Sequence, residues 1–142
     1  MKTKIKLIVL FVLALALLAL PRTATAADHI SARAMFDTTG VRGGLIVHIG
    51  CGDGQLTAAL HASDSYLVHG LDADAKNVES ARKHIQSLGL YGKVSVQQWS
   101  ASRLPYIEDL ANLVVAENLG GIPMDEVMRV LALRLAHKNV AA

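Results

Sequence analysis

The sequence predicts an α/β fold built on a parallel sheet, and three observations carry that prediction. From residue 45 onward, short apolar runs alternate with segments of helical periodicity. The first run is continuous and β-branched, the composition of a strand covered on both faces. A glycine-rich turn joins that run directly to the helix after it, and strands that alternate with helices pair in parallel.

The elements follow in order. Asp28 to Phe36 has Ile30 and Ala34 on one side and reads as a short leading helix. Asp37-Thr38-Thr39-Gly40 and Gly43-Gly44 punctuate a loop. Leu45 to Ile49 is the first strand, Gly50 to Gly54 the glycine loop, and Gln55 to Ala62 the next helix. Tyr66 to Leu71 forms a second strand that ends at Asp72. Asp74 is placed to cap a helix over Ala75 to Leu88, where Val78, Ala81, Ile85 and Leu88 share one face and Gly89 is the stop. Val94 to Gln98 is the third strand and Leu113 to Ala116 the fourth. Gly120-Gly121 breaks the chain, and Pro123 opens a last helix over Met124 to Leu135.

The start of the chain has a different composition. Lys2, Lys4 and Lys6 precede an apolar run from Leu7 to Leu20, followed by Pro21 and the small-residue triplet Ala24-Thr25-Ala26. This is the order of a secretory signal, and residues 1–26 are expected to be removed on export to the periplasm or beyond. The alternative is a retained anchor, but the run falls short of the ~20 residues that span a bilayer. The segment holds four of the 14 basic residues (Lys2, Lys4, Lys6, Arg22) and no acid. Cleavage would leave ten basic against 12 acidic residues, moving the net charge from +2 to −2. Nothing basic then suggests a nucleic-acid partner. A single cysteine, Cys51, rules out a disulfide framework within the chain. The six histidines have no metal-ligand spacing, so no metal site is expected.

The chemistry concentrates between Leu45 and Asp72. Gly50 and Gly52 can adopt backbone angles closed to other residues and let the backbone approach a ligand. The helix start after them presents N–H groups to an anion. Asp72, at the carboxyl end of the second strand, can accept hydrogen bonds from two ribose hydroxyls. A dinucleotide site requires G-x-G-x-x-G, but Gln55 stands at the third glycine position, and Gly50, Gly52 and Gly54 make G-x-G-x-G.

That spacing resembles motif I of class I S-adenosylmethionine (SAM) methyltransferases. His69-Gly-Leu-Asp72 resembles the second strand of that family with its ribose-binding acid. Leu104-Pro105-Tyr106 resembles its Leu-Pro-aromatic turn, and Asn112 to Val115 its Asp-x-Val-Val strand. Glu126 to Leu131 resembles its Glu-x-x-Arg-Val-Leu helix. The resemblance covers Gly40 to Leu131. It implies a Rossmann-like sheet, incomplete at about four parallel strands with flanking helices, over a partial domain at 27–142. It also implies SAM as the cofactor and an unidentified methyl acceptor. Gly50, Cys51 and Gly52 would then line the methionine end, with Gly54 also among the cofactor-binding residues, Asp72 would bind the ribose, and Trp99 and Ser100 would flank the adenine. Glu117 would face the methyl-transfer region.

Three positions depart from the family pattern. His48 stands where motif I begins with an acid, Ser100 where an Asp meets the adenine, and Asn112 where an Asp opens the fourth strand. After Leu131 the expected Pro-Gly-Gly and fifth strand are missing, which would leave the fourth strand as an unpaired apolar edge. A fragment or the front of a longer exported protein is therefore expected, and the resemblance extends to exported proteins in which a similar domain precedes a pyrroloquinoline-quinone-type β-propeller. His48 and Cys51 read as core side chains, and Asp53 as a helix cap. Competing functions are an inactive binding or scaffold domain and, against the glycine spacing, a nicotinamide-dependent oxidoreductase.

Overall fold

The computed structural model describes residues 26–132. The signal-like segment, apart from Ala26, and the residues after Ala132 lie outside that range. The described elements are α1 (Ala26–Thr39), β1 (Gly44–Ile49), α2 (Gln55–Ala59), β2 (Tyr66–Asp72), α3 (Ala75–Ser87), β3 (Val94–Gln98), β4 (Leu113–Ala116) and α4 (Met124–Val130). The strands form one parallel sheet in the order β3-β2-β1-β4.

Alternate residues of β1 divide the core. Ile46 points into a cluster with Val68, Ala81, Ile85 and Val94, closed by Ala32 and Phe36 of α1. Val47 and Ile49 point the other way, to Leu71, Leu104, Ala111 and Val130. Fully burying side chains of this size contributes ~1.5–3 kcal/mol each, which fixes the strand register. The sheet is therefore covered by α1, α2 and α3 on one face. On the other lie α4 and the 99–111 loop.

Helix boundaries differ from the sequence expectation where local bonds decide them. The leading helix continues to Thr39 because the Thr39 hydroxyl donates to the Met35 carbonyl at 2.7 Å. The Gly40 N–H, in a left-handed conformation, then closes on the Phe36 carbonyl at 2.8 Å. Helix α2 ends at Ala59 rather than Ala62, where the His61 N–H turns back to Ala58 at 3.1 Å. Asp74 caps α3 as expected, accepting from the Lys76 N–H at 2.8 Å.

The last helix is corrected most. It ends at Val130, and Leu131 is extended and bridges to Ala111 in parallel. The Ala132 N–H donates to the Ala111 carbonyl at 2.7 Å. Chain pairing thus begins just before β4 at the point where helical periodicity suggested another turn. Expected helical residues 133–135 lie outside the described range. Among the described residues no helix is long and apolar enough to cross a membrane.

Candidate functional site

Ile49 of β1 and Leu71 of β2 are in register, so the two strands end side by side. The N–H groups of Gly50 and Cys51 both donate to the Leu71 carbonyl, at 2.8 and 3.1 Å, which starts the glycine turn. Asp72 then holds the turn from the neighbouring strand. Its Oδ2 accepts from the Gly52 N–H at 2.9 Å, and its Oδ1 from the Asp74 N–H at 2.9 Å. The Asn77 amide donates more weakly to both oxygens, at 3.2 and 3.3 Å. Asp72 is 8% exposed, so these donors replace the water that its charge has lost.

The three glycines serve different purposes. All are left-handed, with φ of 74° at Gly50, 53° at Gly52 and 83° at Gly54. Among the described residues, a Cβ on Gly52 would meet nothing within 4 Å, and one on Gly50 only the Asn118 carbonyl oxygen at 3.9 Å. Both therefore face open space. A Cβ on Gly54 would fall 2.8 Å from Cα and Cβ of Ala81. Gly54 lets the start of α2 press against α3, and the structure gives it a packing contact instead of a cavity.

Two cavities flank Gly50. One, of about 200 Å³, is lined by Gly50, Asp72, Trp99, Ser100, Asn118 and Ile122 among others. The second, of about 350 Å³, is lined by His48, Gly50, Cys51, Asp53, Gln55, Leu56 and Glu117. Gly50, Asp72, Trp99 and Ser100 thus come together at one cavity, and Cys51 and Glu117 at its neighbour. Trp99 is half-buried; its backbone N–H donates to the Asp72 carbonyl at 2.8 Å and its indole to the Arg103 carbonyl at 2.9 Å. Ser100 and Glu117 are exposed. A wider depression of about 800 Å³ lies at the opposite end of the sheet, by Arg42, Gly43 and Asn112. Parallel sheets bind ligands at the carboxyl ends of their strands, and two groups there, His48 and Cys51, are shifted by burial.

Those groups are neutral. His48 is 4% exposed, with Nδ1 2.8 Å from the Thr57 hydroxyl. Burial lowers its pKa to about 4, against the opposing pull of the Asp72 charge. Cys51 lies over Gly70, where a Cβ would be 3.3 Å from its sulfur. Burial, with Asp72 adding to it, pushes the thiol up to about 12. Both behave as core groups, as their surroundings in the sequence suggested. Asp53 accepts from the Gln55 N–H at 3.1 Å and from the Gln55 side-chain amide at 2.9 Å. One of the helix-start N–H groups expected to await an anion, that of Gln55, is therefore already engaged. Among the described residues no three or more His, Cys, Asp or Glu side chains gather as metal ligands.

The outlying motifs brace the scaffold. Glu126 accepts from the Leu104 N–H at 2.8 Å and from Arg129 Nε at 2.8 Å. Arg129 in turn donates to the Tyr106 carbonyl at 3.0 Å. The Leu-Pro-Tyr turn is thereby fastened to α4, and the ion pair holds the Glu126 carboxyl down at about 2. Asn112 Oδ1 accepts from the Leu45 N–H at 2.9 Å, so the carboxamide supplies the acceptor an Asp would. Sequence reasoning missed Gln55, Asn77, Asn118 and Ile122. Asn77 carried a signal: a polar residue in the first turn of a helix, five positions after a strand-end acid.

A profile described as a methyltransferase domain matches residues 46–137. The chain belongs to this methyltransferase-domain family. It is 33% identical over 89 residues to Methyltransferase GfsG of Streptomyces halstedii, an overlap of 61% of this chain and 32% of that protein. The chain thus spans about a third of the length of this curated relative. A structure assigned to an S-adenosyl-L-methionine-dependent methyltransferase of Methanococcus maripaludis has a TM-score of 0.67 at 24% identity. That overlap covers 78% of this chain and 53% of the other. The YcgJ protein of Bacillus subtilis gives a TM-score of 0.61 at 27% identity, over 72% of this chain and 46% of its own. The four-stranded parallel sheet is accordingly the Rossmann-like sheet of methyltransferase domains.

Proposed function

We propose that this domain binds SAM across the carboxyl ends of β1 and β2 and supports transfer of its methyl group to an acceptor of unknown identity. The observation that carries the reading is the pairing of Asp72 with a glycine turn whose Gly50 and Gly52 leave open space. The residues present suit such a ligand. Asp72 offers its carboxylate to ribose hydroxyls, which would displace the weak Asn77 bonds. Trp99 supplies an apolar wall for a purine, and Ser100 a hydroxyl beside it. Gln55 lines the neighbouring cavity, and its Oε1 is buried without a partner among the described residues, an acceptor suited to an ammonium group. When bound, SAM supplies an electrophilic methyl on a sulfonium. The chain's own part is positioning, and proximity alone accounts for much of the rate in such reactions.

A second reading, a cofactor-binding domain that transfers nothing, is favoured by the neutral, buried state of His48 and Cys51. Neither offers a general base. Titration calorimetry of the full chain with SAM tests the first step. Saturable binding that Asp72→Ala abolishes supports the site; a folded chain with no binding refutes it. Release of S-adenosylhomocysteine in the presence of candidate acceptors then separates transfer from binding alone. From residues 1–26 we also propose export of a domain at 27–142, with a β-propeller partner as the finer form of that reading. N-terminal sequencing of the protein from its host checks the cleavage after Ala26.

A further inference from the structure

The cavity beside Gly50 contains a polarity that motif I does not lead one to expect. Thr57 is fully buried, and His48 Nδ1 is the partner of its hydroxyl among the described residues. If Nδ1 carried the proton, the hydroxyl hydrogen would have no acceptor, and a buried unpaired donor is destabilising by ~1–3 kcal/mol. The hydroxyl therefore donates, Nδ1 accepts, and the imidazole proton resides on Nε2. With Nδ1 committed to Thr57, Nε2 is the polar atom that His48, at 4% exposure, can offer to the cavity it lines.

The other side chains there are acceptors or are engaged. Asp53 and Glu117 bring negative charge. The Gln55 amide nitrogen is held by Asp53, which turns its Oε1 into the orphaned acceptor. The Cys51 thiol lies over Gly70. A carboxylate entering this cavity needs a donor facing it, and His48 is the side chain that provides one.

We propose that His48, locked by Thr57 with its proton on Nε2, binds the carboxylate of the ligand's amino-acid end, at the position where the family has an acid. Gln55 Oε1 takes the ammonium of the same group. The inference rests on the SAM reading and assigns to this chain its own way of holding the zwitterion.

The test is a cycle of residue against ligand, by calorimetry on the full chain. The ligands are S-adenosylhomocysteine, its decarboxylated analogue, its analogue without the amino group, and 5′-methylthioadenosine. The variant is His48→Asn, whose side chain keeps an acceptor for Thr57 and deletes Nε2. Loss of the carboxylate should weaken binding to the unaltered chain at least tenfold, and that difference should shrink to under threefold in His48→Asn. An unchanged difference overturns the proposal. So does a variant that erases the effect of the amino group instead, since Nε2 would then be an acceptor. Nitrogen-15 NMR of the unliganded protein reads the tautomer directly, with protonated Nε2 expected and protonated Nδ1 refuting. Binding of the nucleosides without the expected discrimination sinks this inference alone. Absence of binding by all four ligands sinks the SAM reading and the recognition built on it.

Discussion

Replacing Gly54 by Ala and Gly52 by Ala gives two variants that share one backbone cost and differ in a single contact. Both positions are left-handed, and a Cβ there costs ~1–2 kcal/mol. The relief from a less flexible unfolded chain is the same for both and cancels in the comparison. At Gly52 the new methyl enters open space, while at Gly54 it meets the α3 backbone and Ala81 Cβ at 2.8 Å. The neighbour is a helix backbone and cannot rotate aside, so overpacking adds ~1–3 kcal/mol. Gly54→Ala should therefore lose ~2–5 kcal/mol and Gly52→Ala ~1–2. For a domain of this size the gap corresponds to ~1–2 M in the urea midpoint. Urea melts of the full chain, followed by Trp99 fluorescence and far-UV circular dichroism, measure it. Calorimetry should show the opposite ranking for SAM, because the Gly52 methyl occupies space beside Asp72. Equal midpoints for the two variants would refute the division of this loop into a packing glycine and a ligand-facing one.

Four further outcomes are expected. His48 is held at about 4, below its ordinary 6.5, so the unfolded chain binds the extra proton between those values and stability falls as pH drops through that window. The loss should reach ~2 kcal/mol by pH 5, with partly buried His69 adding in the same direction, and His48→Asn should flatten the slope in urea melts at pH 5 and 7. Glu126 is also lowered and acts in the same direction at lower pH: its contribution is full above about 4.5 and is lost as pH falls towards about 2, so Glu126→Gln should lower the midpoint at pH 7 and remove that acid-side slope. Asn77→Leu removes a donor that competes for Asp72, and SAM affinity in calorimetry should rise about threefold to tenfold, the worth of one net hydrogen bond. Cys51 should react with a thiol reagent only as fast as the chain unfolds, and rapid labelling of the folded protein would contradict its burial over Gly70.

β1 and β4 were legible as short apolar runs, whereas β2 carries His69 and Gly70 and β3 carries Ser95 within the strand, so these were placed by their β-branched residues and the turn signals around them. Gly50 follows Ile49, Asp72 closes β2, and Gly89 stops the helix after Leu88. What the sequence hid were outcomes of competition between local pattern and distant partners. The run from Met124 to Leu135 keeps helical periodicity, yet Leu131 is taken by Ala111 some twenty residues earlier. Thr39 looked like a loop residue because its hydroxyl competes for backbone groups, and here it turned that competition onto the Met35 carbonyl and lengthened the helix. Within the site, Asp72, Gly50 and Gly52 could be read from spacing, whereas the packing contact of Gly54 with Ala81 could not. Gln55 was hidden because its importance comes from an amide held by Asp53, and Asn77, reaching back to Asp72, left only the signal of a polar first-turn residue after a strand-end acid.

The departures from motif pattern differ in physical kind. Asn112 accepts the Leu45 N–H through Oδ1, a bond that a carboxylate oxygen could also make, so the carboxamide changes the charge and keeps the acceptor. At a strand start paired to a backbone donor, that change leaves the sheet register intact. Ser100 is exposed and makes no demand on the fold, so its cost falls on ligand contact alone. His48 is different, because an acid cannot be exchanged for a buried neutral imidazole without a partner for the second ring nitrogen. Thr57 is that partner, one turn into α2 on the face packed against β1. An isolated decay of motif I would have left the imidazole unpaired at a cost of ~1–3 kcal/mol. The His48–Thr57 pair instead is a satisfied unit, and Thr57→Val separates the two cases. If the pair sets the tautomer, the variant should lose stability, release the Nε2 preference seen by NMR and weaken carboxylate recognition together. If only stability moves, the pair is packing and the cavity reads its ligand by other atoms.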